Sequence, residues 1–276
     1  MFKMFKMSLV LASALLLVAP ADSRGDSRLR TLNPGVLQVC LYPGFAPFTS
    51  KDGKGEWTGW DVSYLDHFAA SERLRFQPVE VTRFDGIWTL PAGDVCDVAA
   101  AGISDTQDRR AESGARAAWS QHYYRVLRAF LVRSQDAHGL NSIADLRDRT
   151  VIVTGNATAD SDIQHRLARA GITTTTILTT FNEVDAAREV LDGQSFAYAG
   201  GLGSVQHLAA QLGGLAVTWP HCNMLADGSE VDEPFSFVVR SASTGVIAAL
   251  DRFISDPATP YPGKSAFDPG CSEGSL

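Results

Sequence analysis

Residues 96–109 read Cys-Asp-Val-Ala-Ala-Ala-Gly-Ile-Ser-Asp-Thr-Gln-Asp-Arg, and no other stretch restricts the fold as much. The first half, residues 98–103, is a short unbroken apolar run, the pattern of a parallel strand buried on both faces. The second half turns polar at once and ends on Arg109, with Ser104 and Thr106 on one side of the chain if it stays extended. A strand that leaves a core and immediately presents hydroxyls and a guanidinium can build a ligand site at the carboxyl edge of an α/β sheet. The arginine fork donates two parallel hydrogen bonds, which points to a carboxylate as the group held there. The plain alternative is a solvated arginine after a core strand.

The rest of the chain alternates strand and helix, which predicts parallel strands joined by right-handed crossovers. Residues 36–42 read as the first strand, and a helix follows from Asp61, its expected N-cap, with Leu65, Phe68 and Ala69 on one face. Residues 76–81 read as a strand and residues 84–90 as a short helix broken at Pro91. Residues 110–125 are polar and alanine-rich, and residues 127–133 form a strand crossing to a second lobe. There Ser142 caps a short helix, residues 150–154, 173–180 and 196–199 are strands, and helices stop at Gly171, Gly193 and Gly213-Gly214. Residues 235–240 return, and Val246, Leu250 and Phe253 face the first lobe from a last helix. Two crossings imply a hinge, and closure around a ligand is the motion such a hinge permits.

Several motifs then match one family in order. Gly102-Ile-Ser-Asp-Thr-Gln-Asp-Arg109 resembles the signature of the periplasmic solute-binding proteins of polar amino acid ABC importers, the bacterial extracellular solute-binding family 3. Phe45-Ala-Pro-Phe48, Thr58-Gly-Trp-Asp-Val62 and Phe84-Asp-Gly-Ile87, with Gly93 and Asp97 after it, resemble further motifs of that family. Trp119-Ser-Gln-His-Tyr-Tyr124 is similar to another, with His122 in place of a proline. The likeness runs from residue 36 to residue 255.

This resemblance implies a type II periplasmic binding protein, a two-lobed α/β fold with a hinge of two crossover strands. Lobe 1 would comprise residues 36–130 and 235–255, lobe 2 residues 131–234, and a tail residues 256–276. It implies a ligand stacked by Phe45 and Phe84 and held by Gly102, Ser104, Thr106 and Arg109. Asn156, Ala157 and Thr158 would clasp it from the facing lobe, at a helix start whose free N–H groups suit an anion, with Gly201 nearby. Family members hold the ligand's ammonium with two aspartates, at positions that read here as Tyr42 and Gly201. The expected ligand is therefore a small carboxylate whose amine, if it has one, is bound unusually. A membrane ABC permease is the implied partner; a monomer is expected, without catalysis or cofactor.

Lys3 and Lys6, the apolar residues 8–19 and Ala19-Pro20-Ala21 have the form of a signal peptide over residues 1–21, so the periplasm is the expected location. A net charge of −7 without a basic stripe argues against nucleic acid as a partner. In that oxidising compartment Cys40, Cys96, Cys222 and Cys271 can form disulfides, and three pairings are open. The guess that costs least pairs neighbours, Cys40 with Cys96 and Cys222 with Cys271. No Cys-x-x-Cys or Cys-x-x-His cluster supports a metal site.

Two other functions compete. Periplasmic cyclohexadienyl and arogenate dehydratases resemble the same binding proteins, but they need a buried general acid. Asp160 and Asp162 read as solvated helix-start residues, and no acid in lobe 2 is assigned that role. Accessory proteins of quinoprotein (methanol) dehydrogenases share the Val39-Cys40 and Cys96-Asp97-Val98 patterns, although Arg109 favours ligand binding. Trp60 and Trp88 read as core or rim. There is no Gly-x-Ser-x-Gly elbow, and Gly201-Leu-Gly203 lacks the third glycine of a dinucleotide site.

Overall fold

A computed structural model describes residues 29–263 and residue 271. The leader expected at residues 1–21 lies outside the described residues, as do residues 264–270 and 272–276 of the tail.

Two five-stranded sheets repeat one arrangement. In lobe 1, Arg75–Glu80, Val36–Leu41 and Val98–Ala100 run parallel, and Val238–Arg240 and Ala117–Trp119 follow, each antiparallel to its neighbour. In lobe 2, Thr176–Thr180, Thr150–Thr154 and Ala197–Gly201 run parallel, and Arg128–Arg133 and Leu215–His221 complete the sheet in the same way. The fourth strand of each sheet is thus the one arriving from the other lobe. Just before these strands enter their sheets, Tyr124–Val126 pairs antiparallel with Glu233–Phe235, so the two crossings lie side by side as a hinge ribbon.

Helices cover the sheets: α1 (Trp60–Ser71), α2 (Gln107–Ser113), α3 (Thr158–Arg169), α4 (Glu183–Leu191), α5 (Leu202–Leu212) and α6 (Val246–Ser255). In lobe 2 the strand alternation sorts side chains between two cores. Val151, Val153, Ala197 and Ala199 pack with Ile163 and Leu167 of α3, while Ile152 and Tyr198 face Ala186, Val190, Val205 and Leu208 of α4 and α5. Lobe 1 has one core, in which Phe48 meets Trp60, Tyr124 and Phe235 edge to face.

Four expectations change. Asp61 is not the cap of α1: Gly59 is, at φ 123°, because a Cβ there would stand 2.3 Å from the Phe48 carbonyl oxygen. Asp61 instead points into the core, where its carboxylate accepts from Gly102 N (2.8 Å), Tyr261 OH (2.6 Å) and Tyr123 OH (3.1 Å). The strand at residues 98–103 stops at Ala100, since Gly102 turns the chain at φ 56°. Arg109 therefore sits in the first turn of a helix, α2, within a segment whose polar composition had hidden it. Strands Ala117–Trp119 and Leu215–His221 were also unmarked; both are short or irregular, the second with a register shift after Thr218.

Both neighbour-to-neighbour disulfides are present. Cys40–Cys96 ties the first strand to the approach of its parallel partner, and Cys222–Cys271 anchors residue 271 on lobe 2.

Candidate functional site

The carboxyl ends of the parallel strands in both sheets open toward the space between the lobes, the position where open α/β sheets hold ligands. From lobe 1, residues 101–106 follow the strand Val98–Ala100; from lobe 2, residues 155–157 lead from Thr150–Thr154 into α3. They meet: Arg109 Nη2 donates to the Asn156 carbonyl oxygen at 3.0 Å. A cleft of about 690 Å³ beside this contact is lined by Thr106, Arg109, Asn156 and Thr158, with Trp88 and Glu233.

Arg109 is held on all sides. Thr106 caps α2 and accepts from Arg109 N at 3.3 Å, which fixes the helix start under the side chain. Nη1 donates to the Ser104 carbonyl at 3.2 Å, and the guanidinium carbon lies 4.3 Å from the Trp88 ring centre and 5.3 Å from that of Phe84. Trp88 is pinned in turn by its Nε1 donating to Glu112 Oε2 at 2.6 Å. Only 5% of Arg109 is exposed, and burial lowers its pKa to about 10 against the opposing field of Glu112. Among the described residues it makes no ion pair with a carboxylate. It is a buried cation with donors left over.

Ser104 and Thr158 serve another group. Both hydroxyls donate to Glu233 Oε1, and lie 3.2 Å from each other. Arg128 grips the same carboxylate through Nε to Oε2 at 2.6 Å and Nη2 to Oε1, and also reaches Thr158 Oγ1 at 2.8 Å. An internal carboxylate from the hinge ribbon thus takes the hydroxyls expected for a ligand. Arg128 and Glu233 escaped the sequence reading; their signal was a charged residue at the start of each crossing, Arg128 before the apolar residues 129–132 and Glu233 before Pro234 and Phe235.

Phe45 and Phe84 are buried and stacked on one another, with centroids 5.3 Å apart and planes at 10°. Gly102 is required beside them, since a Cβ would fall 2.9 Å from both Phe45 and Phe235. Asn156 adopts φ 60° and Ala157 caps α3, so the expected helix start is present. Gly201 is buried at the start of α5, where a Cβ would lie 2.9 Å from Val126 and 4.0 Å from Arg128 Nη1. Tyr42 OH donates to the Phe181 carbonyl across the lobes. The structure therefore gathers Ser104, Thr106, Arg109, Asn156 and Thr158, while Phe45 and Gly201 pack into neighbouring parts of the seam.

One acid differs from expectation and another was not foreseen. Asp162 is buried, not solvated: it accepts from Arg166 Nε (3.0 Å) and Met224 N (2.7 Å) and lies 3.0 Å from His221 Nε2. Burial pushes its pKa up, but His221 and Arg166 outweigh that and hold it below the usual value. Glu183, the first residue of α4, is a buried acid that sequence reasoning missed because it looks like an ordinary helix-start residue. Burial pushes its carboxyl up to about 8.

The family model described as bacterial extracellular solute-binding proteins, family 3, matches residues 37–257. A "Probable histidine-binding protein" of Neisseria gonorrhoeae is 26% identical over 147 residues, and the match spans 52% of this chain and 52% of that protein, about half the length of each. Among solved structures, the arginine-bound arginine-binding protein of T. maritima is 21% identical, with a TM-score of 0.66, covering 79% of this chain and 94% of that one. An ancestral arginine-binding protein bound to arginine is 20% identical with a TM-score of 0.68, covering 80% and 91%. The ancestral amino acid-binding protein AncCDT-1, a precursor of cyclohexadienyl dehydratase, is 22% identical with a TM-score of 0.66, covering 80% and 88%. These structural likenesses establish the two-lobed fold.

Proposed function

We infer the function from one premise: the chain belongs to the bacterial extracellular solute-binding proteins, family 3. On it rests the reading that this protein captures a small carboxylate, an amino acid or related organic acid, in the periplasm and delivers it as a monomer to a membrane ABC permease. One observation carries this reading: Arg109, buried between the lobes with no carboxylate paired to it among the described residues. Holding a desolvated guanidinium without a counter-ion is costly, and a ligand carboxylate arriving in the cleft offsets that cost. Lobe closure over Asn156 completes the enclosure. The relatives add weight, one named as histidine-binding and others solved with arginine. Micromolar affinity needs about −8 kcal/mol, within reach of one buried charge pair plus aromatic burial.

A thermal-shift screen against the standard amino acids and simple organic acids tests the reading. It predicts at least one carboxylate that raises the melting temperature of the wild type and not of Arg109→Ala. No response to any carboxylate would refute it.

Catalysis is not part of this reading. The observation that would suit a dehydratase is Glu183, a buried protonated acid in lobe 2. A prephenate turnover assay separates the two, and the binding reading predicts no product.

A further inference from the structure

Glu183 sits at the carboxyl edge of the lobe 2 sheet, just after the strand Thr176–Thr180, with only 2% of its surface exposed. Its Oε1 accepts from Tyr198 OH and from Thr154 Oγ1 at 3.4 Å. Its Oε2 has no hydrogen-bond partner among the described residues. From lobe 1, Tyr42 approaches closely enough for its hydroxyl to bond the carbonyl of Phe181, two residues before Glu183, and to feel the charge of Glu183. Among the described residues the cation whose field reaches it is Arg128, already forked onto Glu233. Tyr198 and Tyr42 are both raised in pKa by burial and then by Glu183, so both stay neutral.

The hydroxyls that meet this carboxyl are thus neutral, and the carboxyl holds its own proton at neutral pH. A buried carboxyl oxygen without a partner is costly in either protonation state. A cation docking on it would satisfy the oxygen and stabilise the ionised form. The same lobe edge lacks a carboxylate at Gly201, where Arg128 approaches instead, and the first strand of lobe 1 ends at Leu41 with Tyr42 next after it.

We propose that Glu183, which bonds Thr154 two residues from the Asn156 carbonyl that Arg109 holds, is a cation subsite in the seam between the lobes, taking the ammonium of a ligand whose carboxylate lies on Arg109, and releasing its own proton to solvent as it does so. The proposal rests on the Arg109 reading. The proton leaves Oε2 for the buffer, the ammonium keeps its own protons, and no covalent bond changes. Because the free carboxyl is protonated below about pH 8 and the occupied one is ionised, affinity rises with pH up to about that point.

Calorimetry in buffers of differing ionisation enthalpy tests it, with L-arginine, L-histidine and L-glutamine each beside its deaminated carboxylic acid. The amino acid that binds should release about one proton at pH 7 and bind about fiftyfold tighter at pH 8 than at pH 6. Its deaminated counterpart should release none. Glu183→Gln keeps an oxygen for Tyr198 and Thr154, so it should fold and still bind the deaminated acid. It should lose the proton release and bind the amino acid at least tenfold more weakly. Amino acid binding that needs Arg109 but releases no proton, or that Glu183→Gln leaves unchanged, overturns the Glu183 assignment alone. Absence of binding by every probe overturns the Arg109 reading and this inference with it.

Discussion

Replacing Arg109 by alanine should move two observables in different ways. In the unliganded protein the guanidinium stays charged where burial has taken its pKa from 12.5 to about 10, which costs about 3 kcal/mol. Against this stand two charge-assisted bonds, to the carbonyls of Ser104 and Asn156, worth about 1.5–3 kcal/mol each. Removing the side chain loses the bonds and relieves the burial, so unliganded stability should fall by only about 0–3 kcal/mol. Ligand binding has no such offset. It should weaken by about 2–5 kcal/mol, roughly thirtyfold to several thousandfold. Calorimetric titration reads the second quantity and scanning calorimetry of the free protein reads the first. Arg109→Lys, which keeps the charge without the planar fork, should fall between wild type and alanine. Affinity within threefold of wild type in Arg109→Ala would refute the reasoning. So would a free protein destabilised by well over 5 kcal/mol, since the arginine would then be structural.

Three further outcomes are expected. Burial raises Asp61 from 3.8 to about 6 despite bonds from Tyr261, Gly102 and Tyr123. Its contribution to stability is therefore full below the unfolded value and lost as pH rises through 6. Urea unfolding should show Asp61→Asn less stable than wild type at pH 4, with the gap narrowing by about 2 kcal/mol by neutral pH; a constant gap would contradict this. Glu233→Ala strands Arg128 as a buried charge and should cost about 3–5 kcal/mol, whereas Arg128→Met with Glu233→Met should cost less in the same denaturation assay. Reduction of Cys40–Cys96 and Cys222–Cys271, which span 56 and 49 residues, should lower unfolding free energy by about 4 kcal/mol each, measured with and without a phosphine reductant.

The periodic parts of the chain were legible because burial writes itself into composition. The run Val98–Ala100 is apolar because both faces of its strand are covered, and Val151, Ile152 and Val153 because alternate side chains enter two cores. Arg109 and Asn156 were legible too, as polar groups placed directly after such strands. What failed to show was any role set by a distant partner. Asp61 looked like a cap because its sequence neighbours are helical, yet Gly102, Tyr123 and Tyr261 decide its place. Asp162 looked like a solvated helix start and Glu183 carried no mark at all, and only the packing of His221, Met224, Tyr198 and Thr154 around them buries them. Glu233 is separated from Ser104 by 129 residues, so nothing local to either announces their bond.

A crystal structure of the protein grown with the carboxylate that gives the largest thermal shift tests the central claim most directly. The ligand's carboxylate oxygens should lie within hydrogen-bond distance of the Arg109 guanidinium, between Trp88 and the start of α3. A ligand bound elsewhere, with Arg109 still donating only to Ser104 and Asn156, would contradict it.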